Sequence, residues 1–155
     1  MADNFTANAG SGGSIFAADD LGSWLLPRVK IQVGADGVGQ DNWTPWAAVS
    51  AANTNGTNIK GSAGAIGFIY AVNMTATVKY LKLYNYATTP SPGTTTQFCA
   101  LPIPASGTTG AGFMLPIPNG MYFSIGIGIG ITTGYVTGDT GATSVGEVFL
   151  LIGYA

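Results

Sequence analysis

The sequence predicts an all-β fold: a single-domain β-sandwich or jelly roll with an extended N-terminal arm. Three observations carry this. From about residue 61, short apolar segments with strand-like alternation follow one another at close, regular intervals. Clusters of Gly, Pro and Thr separate them, as turns require. No segment has a helical apolar stripe of useful length. Many short strands joined by such turns are the pattern of sandwiches and jelly rolls.

Taken in order, residues 1–22 read as a flexible N-terminal arm, because "NAGSGGS" is a Gly/Ser tract. "IFAADDLG" then supplies two apolar residues, Ile15 and Phe16, and the acidic pair Asp19–Asp20. The β-sandwich domain is expected over 23–155. Its first strand comes where Val29, Ile31 and Val33 alternate with Arg28, Lys30 and Gln32, Pro27 favours an edge position there, and "GADGVG" is the turn after it. Residues 43–60, "WTPWAAVSAANTNGTNIK", read as a long Trp-containing connection, with "TPWAAVSAAN" as its one candidate for a short helix.

Strands are expected over 65–75, 77–87, 97–105, 112–120, 124–132 and 146–154. In the second, Leu81 and Leu83 face opposite Tyr80, Lys82 and Tyr84. Phe68, Phe123 and Phe149 read as core residues. The tetrapeptide LPIP occurs twice, at 101–104 and 115–118. Proline has no N–H to give a ladder, so both copies read as edge or rim segments. In "SIGIGIGIT", Ile125, Ile127, Ile129 and Ile131 are expected in the core, each contributing about 1.5–3 kcal/mol of burial. Gly126, Gly128 and Gly130 leave the other face bare. A strand glycine often marks close approach of another backbone or chain; glycine chosen to permit twist is the alternative.

Composition narrows the chemistry. Charged residues make up 8% of the 155, with a net charge of −2, against roughly a quarter in ordinary domains. A surface so poor in charge favours association. The five basic residues, Arg28, Lys30, Lys60, Lys79 and Lys82, form no patch for nucleic acid. There is no histidine, so the commonest general base and metal ligand are both missing. Asp19–Asp20 fits a helix N-terminus or solvated turn better than an acid/base dyad. Asp36 and Asp41 bracket "GVGQ" without calcium-loop spacing. Cys99, the single cysteine, reads as a small buried apolar residue. The Asn-x-Thr triplets at Asn4, Asn42, Asn55 and Asn73 read as chance in a chain rich in both residues. No basic, apolar leader opens the sequence and no apolar run approaches the ~20 residues of a membrane span. The expectation is a non-enzymatic protein made in a cytoplasm, without cofactor, metal, nucleic acid or membrane partner.

"DDLGSWLLPRVKIQVGADG" resembles the "DD-G---YPRVK---GADG" opening of small virion proteins of tailed bacteriophages and prophages. The matching positions are Asp19, Asp20, Gly22, Pro27, Arg28, Val29, Lys30 and 34–37. "VKYLKLYN", "LPIP", "GFMLPIPNGMYFSIGIGIGIT" and "GDTGATSVGEVFLLIGY" follow the group's later pattern. The resemblance covers about residues 15–40 and 77–155 and leaves the Trp-containing connection unmatched. It implies a decoration (cement) protein of the phage capsid surface, made in the host bacterial cytoplasm, with the major capsid protein as partner and a homotrimer as assembly. A tail or fibre attachment protein, whose aromatic loops bind host glycans, is the alternative. Under the first reading the capsid or subunit contacts are expected at Ile15, Phe16, Trp24, Arg28, Lys30, Trp43, Trp46, Gly126, Gly128 and Gly130.

Overall fold

The computed structural model describes residues 43–107 and 109–155, together with the backbone of four short strands nearer the N-terminus. Those four lie in a unit spanning Met1–Gly39, separate from a second unit, Gln40–Ala155. In the first unit, β1 (Phe5–Thr6) pairs with β2 (Ile15–Phe16) and β3 (Ala18–Asp20) with β4 (Leu25–Pro27), both antiparallel. Asp19 and Asp20 therefore sit in a strand, in place of the helix start or turn expected there. The Gly/Ser tract of the arm, the strand expected at 29–33, its turn, and Asp36 and Asp41 lie outside the described residues.

The second unit is the expected β-sandwich. Its strands are β5 (Thr44–Val49), β6 (Thr57–Lys60), β7 (Gly64–Asn73), β8 (Lys79–Asn85), β9 (Cys99–Ile103), β10 (Ala111–Phe123), β11 (Ile127–Thr132) and β12 (Val148–Tyr154). They form two four-stranded antiparallel sheets, β10-β7-β12-β5 and β6-β11-β8-β9. Ile66, Ile69, Ala71, Phe123, Val148, Leu150 and Ile152 of the first sheet meet Leu81, Leu83, Ile103, Ile127, Ile129 and Ile131 of the second in one core.

Two expectations fail here. Residues 43–60 are two strands, one in each sheet, joined by residues 50–56, with neither a long connection nor a helix. Alanine hides the alternation of β5: Trp46 and Ala48 are half-buried while Pro45, Ala47 and Val49 are exposed. Pairing with β12 overrides the helix preference of the Ala run. Ile125 also misses the core. It is 53% exposed because β11 starts only at Ile127. The preceding bend is held by the Asn85 side chain, which accepts a hydrogen bond from the Ile125 N–H (2.8 Å).

The two LPIP copies do lie on edge strands, Pro102 in β9 and Pro116 in β10, and each is the outer strand of its sheet. At the end of β7, Asn73 is fully buried. Its amide donates to the carbonyls of Thr77, Ile103 and Pro104 (2.8, 3.4 and 3.0 Å), and its oxygen accepts from the Thr75 N–H and hydroxyl (2.9 and 2.8 Å). One side chain thus closes the β7–β8 turn and fastens the end of β9. Asn55 plays a similar part in the β5–β6 turn, in the left-handed region with φ 52° and its amide on Thr143 Oγ1 (2.7 Å). Of the Asn-x-Thr triplets, these two are structural.

Candidate functional site

Lys79, Lys82, Asp139 and Glu147 are occupied in holding the sandwich together. Lys79 pairs with Glu147 at 2.9 Å, and Glu147 also accepts from the Ser144 N–H (2.8 Å). The Ser144 amide, with the Lys79 contact second, holds the Glu147 carboxyl below its ordinary range. Lys82 is fully buried on the outer side of β8. Its ammonium donates to the carbonyls of Val136 (2.7 Å) and Asp139 (3.2 Å). Burial pushes the Lys82 pKa down, and the Asp139 charge opposes that shift. Asp139 itself accepts from the Gly134 and Gly141 N–H groups (3.0 and 3.1 Å), closing the 133–141 loop into a compact cover. Cys99 is half-buried against the core, and burial pushes its thiol pKa up. Among the described residues no three His, Cys, Asp or Glu gather as metal ligands.

The bare face of β11 is covered by the chain itself. A Cβ on Gly128 would lie 3.1 Å from Pro90 Cδ and Cγ, and one on Gly130 only 2.6 Å from Pro92 Cγ. Both prolines are buried, and so are Gly126, Gly128 and Gly130. Tyr84, fully buried on the next strand, packs beside the same two glycines, 3.4 Å from where either Cβ would stand. The close approach expected at these glycines is therefore intrachain. It replaces the subunit contact expected at Gly126, Gly128 and Gly130. Together, the 88–96 and 133–141 loops bury the outer side of β8 and β11.

The tryptophans of the sandwich are also committed to packing. Trp46 faces inward against the core. The Trp43 indole lies on the backbone of Gly67, leaving no room there for a Cβ. Trp46 also lines a cavity of about 250 Å³ between the sheets, with Asn53, Asn55, Thr57, Ile129 and Ile131 on its walls. Of the other positions expected at a contact, Ile15 and Phe16 are described only as backbone strand, and Trp24, Arg28 and Lys30 lie outside the described residues.

The surface that stands out is the outer face of β10-β7-β12-β5. Past the irregularity in β7 between Ile66 and Phe68, core-facing residues alternate along these strands, which fixes what points outward. Strand register then aligns the outward residues in three cross-strand rows: Gly112–Val72–Phe149–Val49, Met114–Tyr70–Leu151–Ala47 and Pro116–Phe68–Gly153–Pro45. None of the twelve is charged, and the Tyr70 hydroxyl is the one polar side-chain group. Met114 is 66% exposed, Val49 58%, Phe149 37% and Tyr70 36%. Tyr70 and Phe149 meet edge to face with ring centroids 6.1 Å apart. Phe68 and Phe149, both expected core residues, face outward instead, because Ile69 beside the first and Val148 and Leu150 around the second take the inward positions. The signal for this face is present in the sequence: "GFIYAVN" and "VFLLIGY" are apolar at both parities, as strands covered on both sides are.

Compared with known proteins, the chain gives no significant match to a family model, a curated protein or a solved structure.

Proposed function

We propose that this chain is a non-enzymatic structural protein of a phage particle, binding the capsid surface as a decoration or cement protein and assembling with copies of itself, three at a time. The observation that carries the reading is the asymmetry of the sandwich. One sheet has its outer side covered by the chain's own loops, and the other presents a broad outer face without a single charge. A surface of that kind serves burial against protein, and isolated monomers seldom keep one that is not used. Lys79, Lys82, Asp139 and Glu147 are committed to bracing loops, which suits a protein whose work is contact.

Two further features support it. Counted from β5, the strand orders are 1-8-3-6 and 2-7-4-5, the winding of a jelly roll, an architecture common in viral capsid and lectin domains. The sequence resemblance to phage virion proteins points the same way. The attachment-protein alternative draws less support, because Trp46 packs on the core and Trp43 on the β7 backbone, leaving neither indole free in a loop.

Quantifying the chain in purified particles tests the reading. Copy number in the hundreds, lost from particles when residues 1–22 are deleted while the sandwich still folds, is the expected result. A few copies per particle, or normal occupancy by the truncated chain, contradicts it.

A further inference from the structure

Asparagine followed directly by glycine occurs twice in the chain, at Asn55–Gly56 and Asn119–Gly120. The pair is chemically labile in any polypeptide. The glycine nitrogen can attack the asparagine side-chain carbonyl carbon, because no Cβ on the glycine obstructs the approach. In a folded protein the outcome depends on what holds the asparagine amide and the peptide after it. The two pairs differ sharply in this respect.

Asn55 is pinned at both ends of its amide. Its Oδ1 accepts from the Ala51 N–H (2.7 Å), and its Nδ2 donates to the Asn53 carbonyl (2.8 Å) and to Thr143 Oγ1 (2.7 Å). Gly56 lies directly on the Pro90 carbonyl, with no room for a Cβ. Swinging the Asn55 carbonyl carbon onto the Gly56 nitrogen would break all three hydrogen bonds. Asn119 is exposed, and its side chain makes no hydrogen bond among the described residues. It lies where β10 falls out of step with β7. Pro116 pairs with Phe68 and Met121 with Ile66, so residues 117–120 stand opposite Gly67 alone. Gly120 takes the left-handed region there, with φ 70°, and a Cβ on it would come within 3.1 Å of Ala65 and 3.3 Å of Trp43. The position is thus held as glycine, and the reactive dipeptide is built into the irregularity. β10 is also an outer strand, so no ladder fixes its far side.

We propose that Asn119 is a site of spontaneous covalent modification in the folded chain, while Asn55, in the same dipeptide, is protected by the fold. The Gly120 N–H gives up its proton and the nitrogen bonds to Asn119 Cγ. The Cγ–Nδ2 bond breaks and ammonia leaves, closing a succinimide ring. Water then adds to one ring carbonyl and opens it, leaving aspartate or isoaspartate. Asparagine and water thus become the acid and ammonia, with no oxidant or reductant involved. The extra backbone carbon of isoaspartate falls where the register is already broken. No residue of β5, β7, β10 or β12 is charged, so the new carboxylate is the first charge these four strands carry. The inference is independent of the capsid reading.

Ageing the full chain in mildly alkaline buffer, where the backbone nitrogen loses its proton more readily, tests it by peptide mass mapping and isoelectric focusing. In the folded protein Asn119 is expected to convert at least about tenfold faster than Asn55, which must first escape its hydrogen bonds by local opening. In urea, where neither amide is held, the two are expected to convert at similar rates. Asn119→Gln, whose longer side chain closes a ring far more slowly, should remove the early acidic band of the folded protein. An Asn119 that keeps its amide in the folded chain overturns the proposal, as does an Asn55 that converts equally fast. A difference of the same size in urea assigns the selectivity to flanking sequence and overturns it too. So does an early acidic band that survives Asn119→Gln.

Discussion

Tyr84 shows at the residue scale how completely the loops close over β8. It is fully buried and its hydroxyl has no hydrogen-bond partner among the described residues. Burial pushes its pKa up to about 12. Because the folded value lies above the unfolded one, the neutral phenol is favoured in the fold, and this stability is lost as pH rises from the unfolded value through the folded one. Tyr84→Phe is expected to leave stability at neutral pH unchanged or raise it by about 1 kcal/mol, since it removes a desolvated hydroxyl without breaking a protein hydrogen bond. It should also flatten the alkaline limb of a stability–pH curve measured by urea unfolding. Glu147 sets the opposite limb. Its folded pKa is lowered, first by the Ser144 amide and then by Lys79, so its contribution is present above the ordinary glutamate value and disappears as pH falls through the folded one. Glu147→Gln is expected to lose stability at neutral pH and to show a weaker acid dependence than the natural chain.

The glycines of β11 belong to the element scale. Their alternation with isoleucine announces a strand with one greasy and one bare face, and β11 is that strand from Ile127 onward. What the spacing could not reveal is the cover, because Pro90 and Pro92 come from a turn some forty residues away in sequence. Gly130→Val is expected to cost about 1–3 kcal/mol through overpacking against Pro92, read as a lowered melting temperature of the isolated chain. A loss confined to assembly would contradict the intrachain account. The LPIP copies are legible as edges for a local reason, the missing proline N–H. β5 is not legible, because alanine on both faces conceals period-two alternation and only the ladder to β12 makes it a strand. Asn73 is the clearest case of a residue whose role no pattern discloses. Its partners at Ile103 and Pro104 are thirty residues distant. Asn73→Ala is expected to destabilise by about 2–4 kcal/mol, because it strands several buried backbone groups at once, and urea midpoints will show it.

For the whole molecule, low charge is the most informative property of the sequence, and the structure distributes it unevenly. Lys79, Lys82, Asp139 and Glu147 are drawn into the braces of loops, and the outer face of β10-β7-β12-β5 receives none. The fold class can be read from alternation and turns because those signals are local. The uncharged outer face cannot be located the same way, since its rows depend on the register of four strands drawn from both ends of the domain. Strands apolar at both parities are its only trace. Methionine oxidation probes the face directly. In a single chain Met114, in the middle row of the face, is 66% exposed. Peroxide footprinting should find Met114 oxidising freely in the dilute, monomeric chain and protected in the assembled particle. Oxidation of Met114 as fast in the particle as in the monomeric chain would contradict the proposal that this face is buried against protein.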